Sequence, residues 1–321
     1  PMAGVSDGVY RTMARAGGAG LAYSEMVSVA GIHYGGDKTW ELVEPLSTEP
    51  DIAVQLFGSK PEQFKEASAQ ISERLGNKLA LIDINMACPV PKVVKKGEGS
   101  ALLDTPELAA DLVKACLSEV AVPVTVKIRR GRRQDEEVAP EFARAMEAAG
   151  ASAVAIHGRF ATQMYRGQAE WETVNRVCDA VSIPVIGSGD MLSAEAASHA
   201  LTETGVTAVM IARGTYGNPW IFKNTQALVE SQATLVPTLD QMLASFMMHV
   251  RLLDAAHIHI ARARSLSTWY FRGIPNAAYW RGKSVRCVTA QDFIDLALEI
   301  KETVKQLEGE QESHQHNPSM S

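Results

Sequence analysis

Three residues that could take part in chemistry, Cys88, Lys127 and His157, each stand at the end of an apolar run rich in β-branched residues. A cysteine thiol that is protonated near neutral pH can act as a general acid. A buried lysine is costly unless it faces an anion, and the negatively charged edge of a reduced flavin is such a partner. These residues favour redox chemistry with an assisting proton donor, although Lys127 could instead reach solvent and His157 could be purely structural.

Two of the other cysteines have the surroundings expected of core residues. Cys116 lies on a helical stripe with Leu112, and Cys178 lies on a similar stripe with Val174, whereas Cys88 directly follows a strand. None of the four cysteines forms a CxxC pair or has histidines at ligand spacing. The sequence therefore predicts neither disulfides nor a zinc site, and it favours a reducing cytoplasm.

A phosphate site is indicated by the ends of the last two apolar runs. Gly187 and Gly189 permit a close approach of the backbone, and Arg213 supplies a fixed positive charge with forked donors. The alternative is that these glycines only form tight turns. A dinucleotide fingerprint is excluded because Leu192 stands where its third glycine would be.

The apolar runs predict parallel strands, because they are nearly continuous rather than alternating. Stretches with helical period separate most of them, as in repeated βα units. The segment 1–3 resembles the end of an eighth strand that begins before the printed sequence, so we expect a TIM barrel whose first strand is largely missing. A doubly wound sheet is the main alternative. The predicted strands are 21–26, 52–58, 81–88, 122–128, 153–158, 184–187 and 208–212.

Strand-like runs stop after about residue 235, and helical periods take their place. We expect helices at 239–257, 259–270 and 291–306, with a loop around 273–276. The chain is therefore divided into a barrel over 1–235, a small helical domain over 236–308 and a polar, disordered tail over 309–321.

The charged residues are unevenly distributed, which the net charge of -6 conceals. Five of the seven residues at 127–133 are basic, and basic side chains dominate 251–286, where Asp254 is the one acidic residue. This pattern favours a face that binds nucleic acid, although such charges could simply solvate helices. The basic residues of the second segment are Arg251, Arg262, Arg264, Arg272, Arg281, Lys283 and Arg286.

Several motifs occur together in the order and spacing of one known family. They are PMAGV at 1–5, QLFG at 55–58, DINMACP at 83–89, HGR at 157–159, and ARG at 212–214 followed by GNPWIF at 217–222. Over almost the whole chain, to about residue 308, the sequence resembles the bacterial tRNA-dihydrouridine synthases. That family has a TIM barrel followed by a helical domain, in agreement with the pattern of elements.

The resemblance implies FMN as the cofactor, NADPH as the reductant and tRNA as the substrate. It also implies that Cys88 is the catalytic acid and that Asn85, with Arg129, contacts the target base. The barrel would bind FMN, and the helical domain would bind tRNA. The residues expected to contact FMN are Pro1, Met2, Ala3, Gln55, Lys127, His157, Ser188, Gly189, Asp190, Ala212 and Arg213.

The hypothesis that follows is reduction of the uracil C5=C6 bond in tRNA. NADPH would reduce FMN, hydride would pass from flavin N5 to C6, and Cys88 would protonate C5. One alternative is an FMN-dependent barrel oxidoreductase acting on a free pyrimidine, such as dihydroorotate or dihydropyrimidine dehydrogenase. Another is a non-catalytic RNA-binding barrel. With no apolar run of membrane length and no signal peptide, we expect a cytoplasmic monomer without a bound metal.

Overall fold

The computed structural model describes residues 1–315, with side chains described to residue 309. It divides into two compact units, one formed by 1–215 with 220–234 and the other by 216–219 with the chain from 235 onward. The first unit contains all seven strands: β1 (Tyr23–Ser28), β2 (Ile52–Phe57), β3 (Leu79–Met86), β4 (Val124–Arg129), β5 (Ala153–His157), β6 (Val185–Ser188) and β7 (Ala208–Met210).

Helices alternate with these strands, as the sequence predicted. Most of them begin with a residue suited to a helix N-terminus: Asp7 and Ser193 accept a hydrogen bond from the first turn, and Pro61 and Pro106 occupy first-turn positions. The helices of the first unit are α1 (Gly8–Ala16), α2 (Val29–His33), α3 (Asp37–Trp40), α4 (Pro61–Leu75), α5 (Pro91–Val94), α6 (Pro106–Leu117), α7 (Ala139–Ala148), α8 (Trp171–Ala180), α9 (Ala194–Glu203) and α10 (Ile221–Val229).

The seven strands form one parallel sheet in the order of the sequence, β1 to β7. Each strand pairs with the next, and the helices that connect them make this the right arrangement for a TIM barrel. The predicted fold class is therefore confirmed. The segment 1–3 is not a strand, contrary to our expectation: the Met2 carbonyl accepts hydrogen bonds from the amides of Val5 and Ser6, so the backbone turns there.

The main core lies between the sheet and its helices. Register places Leu56 of β2 beside Ile84 of β3, and Ile84 beside Val126 of β4, so these residues share one face of the sheet. All three are fully buried and pack with residues of the surrounding helices, among them Phe64 of α4 and Leu112 of α6. The alternating residues of the same strands must therefore point to the interior of the barrel.

The second unit is helical and consists of α11 (Leu239–Ala255), α12 (Arg262–Tyr270), α13 (Ala277–Ser284) and α14 (Ala290–Gln315), together with 216–219. A capping box of Thr238 and Gln241 begins α11. The core of this helical unit is aromatic, with Phe246 packed edge-on against Phe271 and near Phe293.

Two features of this unit differ from the prediction. Helix α13 was not predicted, because its short sequence has little separation of apolar and polar faces. Helix α14 continues past its predicted end at 306 to Gln315, which suits a stretch rich in glutamate and glutamine. The predicted disordered tail, 309–321, overlaps that helix at 309–315, and its last six residues lie outside the described residues.

No helix within residues 1–315 is both long and apolar enough to span a membrane. The same part of the chain brings together no group of three or more His, Cys, Asp or Glu residues that could hold a metal ion.

Candidate active site

Four polar side chains from three neighbouring strands form a continuous hydrogen-bonded chain on the inner face of the sheet. Asp83 accepts from Gln55 Nε2 at 2.6 Å and from Thr125 Oγ1 at 2.6 Å. Asn85 Nδ2 donates to Gln55 Oε1 at 2.7 Å. The strand register explains this meeting, because Gln55, Asp83 and Thr125 lie side by side on β2, β3 and β4. All four residues are buried, so each bond removes a polar group from an otherwise unfavourable environment.

Cys88 lies directly after β3, and its backbone is fixed by the same chain. Asn85 Oδ1 accepts from the Cys88 amide at 2.8 Å and from the Ala87 amide at 3.1 Å. On its other side, the Cys88 carbonyl accepts from the amide of Ser100. Gly99 approaches so closely that a Cβ there would lie 2.8 Å from the Cys88 carbonyl oxygen, and its φ is +61°. The loop that carries the thiol is therefore held from both sides.

The environment of Cys88 keeps its thiol protonated. Burial raises the pKa of the thiol, and this effect exceeds the opposing influence of the Val90 backbone and of the Arg129 charge. Cys88 is nevertheless not fully buried. A neutral thiol that a ligand can reach suits a general acid rather than a nucleophile.

Lys127 stands on the inner face next to Asn85 of β3 and Ala155 of β5. Burial lowers the pKa of its ammonium group to about 8; the nearby Arg129 charge lowers the pKa further, and Asp83 raises it. The Lys127 residue as a whole is only partly buried, although burial is the main influence on its ammonium group. An anion that binds beside this ammonium group would favour its charged form.

Arg129 is occupied by backbone carbonyls. Its Nε donates to the Ala87 carbonyl at 2.9 Å, and its Nη1 donates to the carbonyls of Phe160 at 3.2 Å and Met164 at 3.1 Å. Burial lowers its pKa to about 10, which still leaves it charged at neutral pH. The structure therefore shows Arg129 joining the Cys88 loop to the loop after β5.

A second buried arginine, Arg159, organises the opposite side of the site. Its Nη2 donates to Asp190 Oδ2 at 2.7 Å and to the Gly167 carbonyl at 2.6 Å. Its Nη1 lies 3.4 Å from His157 Nε2, and a guanidinium can only donate, so the histidine accepts there and carries its own proton on Nδ1. Burial, together with the charges of Lys127 and the neighbouring arginines, lowers the pKa of His157 to about 2.

Asp190 is the second residue of the loop after β6 and has a left-handed conformation, with φ of 56°. Burial opposes its ionisation, but hydrogen bonds from Arg159 and the Ala169 amide, with the charges of Arg159 and Arg213, hold its pKa below the usual range. Arg213 lies 3.4 Å from its Oδ1 and 4.8 Å above the Tyr165 ring. The carboxylate thus fixes the direction of both arginines.

Gly189 lets the backbone of the loop after β6 pass close to Ala169 and to the His157 ring. A Cβ at this position would lie 2.6 Å from Ala169 Cβ and 3.3 Å from the His157 ring, and its φ of +120° is rarely adopted by other residues. The neighbouring Ser188 is buried and stands beside His157 in the register of β5 and β6. The backbone of this loop therefore lies near the two arginines that Asp190 binds, an arrangement that suits an anion.

A model of the family described as dihydrouridine synthase matches residues 1–307. The chain belongs to the dihydrouridine synthase family. It is 34% identical over 313 residues to tRNA-dihydrouridine synthase B of Pasteurella multocida, covering 94% of this chain and 93% of that protein. It is 36% identical over 305 residues to tRNA-dihydrouridine synthase B of Pseudomonas aeruginosa, covering 91% of each chain. Family membership confirms the expected class of enzyme, an oxidoreductase.

Among solved structures, the fold is similar to that of 6-hydroxypseudooxynicotine amine oxidase from Pseudomonas geniculata. The TM-score is 0.54 at 13% identity, and the match covers 72% of this chain and 47% of the amine oxidase. At this level of identity the likeness concerns the fold alone.

The residues predicted from the sequence follow the carboxyl ends of neighbouring strands, among them Cys88 after β3 and Arg213 after β7. Pro1 lies close enough to Asp83 and Lys127 to interact with both charges. Ala212 contributes its carbonyl to Thr215. The site residues not predicted are Asp83, Thr125 and Arg159. Asp83 and Arg159 stand in recognised motifs, but only the strand register of Asp83 and the ion pair between Arg159 and Asp190 place them in the site.

Proposed function

We propose that this protein reduces the C5=C6 bond of specific uridines in tRNA to give dihydrouridine, with FMN as cofactor and NADPH as reductant. The observation that carries the proposal is the placement of a protonated, partly exposed Cys88 thiol directly after β3. The inner-face residue Asn85 of that strand lies beside Lys127 of β4. A proton donor and a cation on neighbouring strands suit the addition of hydrogen across a polarised double bond.

The residues present fit a bound FMN. Gly189 keeps the backbone of the loop after β6 free of a side chain, and Arg213, which Asp190 of the same loop orients, would be a phosphate partner. Lys127 provides a cation further along the inner face, where the flavin ring would lie. When bound and reduced, FMN would supply the hydride equivalent for C6.

The chain's own residues then have separate tasks. Cys88 donates its proton to C5 and leaves a thiolate, which Arg129 stabilises through its nearby charge. Lys127 balances negative charge in the cavity, and the neutral His157 contributes the Nδ1 proton as a hydrogen-bond donor. Asn85 holds the Cys88 backbone and would lie next to the base. Each group remains in place before the substrate arrives, so little reorganisation is needed.

A tRNA substrate is supported by exposed basic side chains in each unit. In the first unit, Lys92, Lys95 and Lys96 follow Cys88 in the chain and are all exposed. In the second unit, Arg251, Arg272 and Arg286 are exposed. Such residues neutralise backbone phosphates, and the target uridine must leave its stack to reach a thiol inside a barrel.

The test uses tRNA that lacks dihydrouridine, incubated with the flavin-loaded protein and NADPH. We expect digestion and mass spectrometry to show a uridine that has gained the mass of two hydrogen atoms. Free uridine serves as the comparison substrate. Efficient reduction of free uridine but not of tRNA would replace the proposal with a small-molecule oxidoreductase, and absence of both reactions in a protein with bound FMN would refute it.

A further inference from the structure

Asp83 is the anchor of the inner hydrogen-bonded chain, although its carboxylate does not reach the Cys88 thiol directly. Both of its oxygens accept hydrogen bonds, one from Thr125 and the other from Gln55. The two donor–acceptor distances are short, at 2.6 Å each. Burial raises the pKa of Asp83, and the hydrogen bonds from Gln55 and Thr125 oppose that effect. Asp83 is fully buried, so these contacts cannot be exchanged freely for water.

This arrangement fixes the direction of the two side-chain amides that follow it. Because Asp83 accepts from Gln55, the amide nitrogen of Gln55 must face Asp83, and its oxygen must face Asn85. The Asn85 nitrogen then donates to that oxygen, which leaves the Asn85 oxygen to accept from the amide of Cys88. If the Gln55 side-chain amide were reversed, its NH2 group would face the NH2 group of Asn85. Asn85 would then have to turn as well, and its oxygen would no longer accept from the Cys88 amide.

We propose that Asp83 is a positioning residue, which sets the polarity of the Gln55 and Asn85 amides and thereby holds the Cys88 backbone where its thiol can reach the substrate. The inference rests on the proposed function for its catalytic meaning, but the positional effect itself requires neither flavin nor tRNA. Asparagine at this position keeps the shape but adds a donor, so it permits the reversed arrangement that the carboxylate disfavours.

The first measurement is the alkylation of Cys88 by iodoacetamide in Asp83→Asn, followed by peptide mass spectrometry. Cys178 is also partly exposed and lies on α8, so it provides a reference in the same molecule. We expect the rate at Cys88 to rise at least about fivefold relative to Cys178, since losing an oriented buried hydrogen bond releases the loop. Ile84→Val, on the opposite face of the same strand, should leave the ratio unchanged.

The second measurement is uridine reduction in tRNA at saturating FMN, where Asp83→Asn should reduce kcat by about a hundredfold, because displacing a reacting group by an ångström has an effect of that order. Thr125→Val removes one of the two donors to Asp83 and should have a smaller effect in the same direction on both readouts; it decides the matter if Asp83→Asn does not fold.

An unchanged Cys88-to-Cys178 ratio in the folded variants would overturn the proposal. A raised ratio with undiminished uridine reduction would overturn its catalytic meaning. If the wild-type protein reduced no uridine, the alkylation ratio would still test the positional effect alone.

Discussion

The two faces of β3 and β4 carry opposite kinds of residue on one backbone. Toward the helices, the strands present Ile84 and Val126, both fully buried in the main core. Toward the barrel interior, one residue further along each strand, they present Asn85 and Lys127. The inner face also carries Asp83, so a few ångströms separate a dry apolar layer from a set of charges and amides.

This difference separates stability from chemistry. Burial of an aliphatic side chain on the outer face contributes about 1.5–3 kcal/mol to folding. On the inner face, burial disfavours the charged forms of the side chains: it lowers the pKa of Lys127 to about 8 and the pKa of His157 to about 2. Substitutions on the outer face should therefore change stability, whereas those around the inner face should change ligand binding and turnover.

The largest expected effect is that of Cys88→Ala. Without the proton donor, uridine reduction in tRNA should fall by about a hundredfold or more, which is the contribution of a well-placed general acid. Reduction of the bound flavin by NADPH should persist, because the thiol is not needed for that step. Cys178→Ala, which removes a thiol from α8, is the matched control and should keep both activities. Undiminished uridine reduction in Cys88→Ala would show that another group supplies the proton.

A smaller but still large effect is expected for Gly189→Ala. The added methyl group would meet Ala169 Cβ at 2.6 Å, and the residue would have to adopt a φ of +120°, so the substitution should displace the loop after β6. We expect FMN affinity, measured by fluorescence titration, to fall about tenfold to a hundredfold, in line with the usual energy of overpacking. Gly20→Ala is the control, because nothing lies within 4 Å of its added Cβ. Equal affinities for the two variants would place the flavin elsewhere.

The outer face was largely predictable from the sequence, for a physical reason. Parallel strands covered by helices need nearly continuous apolar runs, so the runs around 52–58 and 122–128 gave β2 and β4 to within two residues at each end. The segment 1–3 was predicted less well, because strand identity depends on a partner that the local sequence does not specify. Helix α13 lacked the periodicity on which the prediction relied.

The inner face was predictable in its reactive types but not in its connections. Cys88, Lys127 and His157 were recognised because such residues are unusual at strand ends. Asp83 was read only as part of a motif, since its contact with Thr125 joins positions 42 apart in the chain. Arg129 was expected at the substrate, and its bonds to the carbonyls of Ala87 and Phe160 became visible only in three dimensions.

Lys127→Met and Ile84→Val together test whether the inner face serves ligand binding and the outer face serves stability. Removing the ammonium group should lower FMN affinity by about tenfold, the order expected for one charged hydrogen bond. The stability of the flavin-free protein should not fall, because the buried charge itself was unfavourable. Ile84→Val should show the opposite pattern, with unfolding free energy reduced by about 0.5–1.5 kcal/mol and FMN affinity unchanged.

The same variant gives a pH test of Lys127. In the flavin-free protein the ammonium group loses its proton near pH 8, so the FMN affinity of the wild type should decline as the pH rises through about 8. The affinity of Lys127→Met should show no such decline. A decline of equal size in both proteins would mean that another group titrates there, and the assignment of the cation would be wrong.

The smallest effect concerns the acid side and His157. In the unfolded chain this imidazole takes up a proton near its ordinary pKa of 6.5, whereas in the native protein it stays neutral until about pH 2. The unfolded state therefore binds more protons below pH 6.5, and the free energy of unfolding should fall as the pH drops, by at most about 1.4 kcal/mol per pH unit from this group. Urea unfolding at pH 7, 6 and 5 should show a shallower loss for His157→Gln than for the wild type. His199→Gln, at an exposed position on α9, controls for the new side chain. Identical slopes for His157→Gln and the wild type would mean that His157 accepts its proton in the native site, and the neutral donor assigned to the inner face would have to be replaced by a cation.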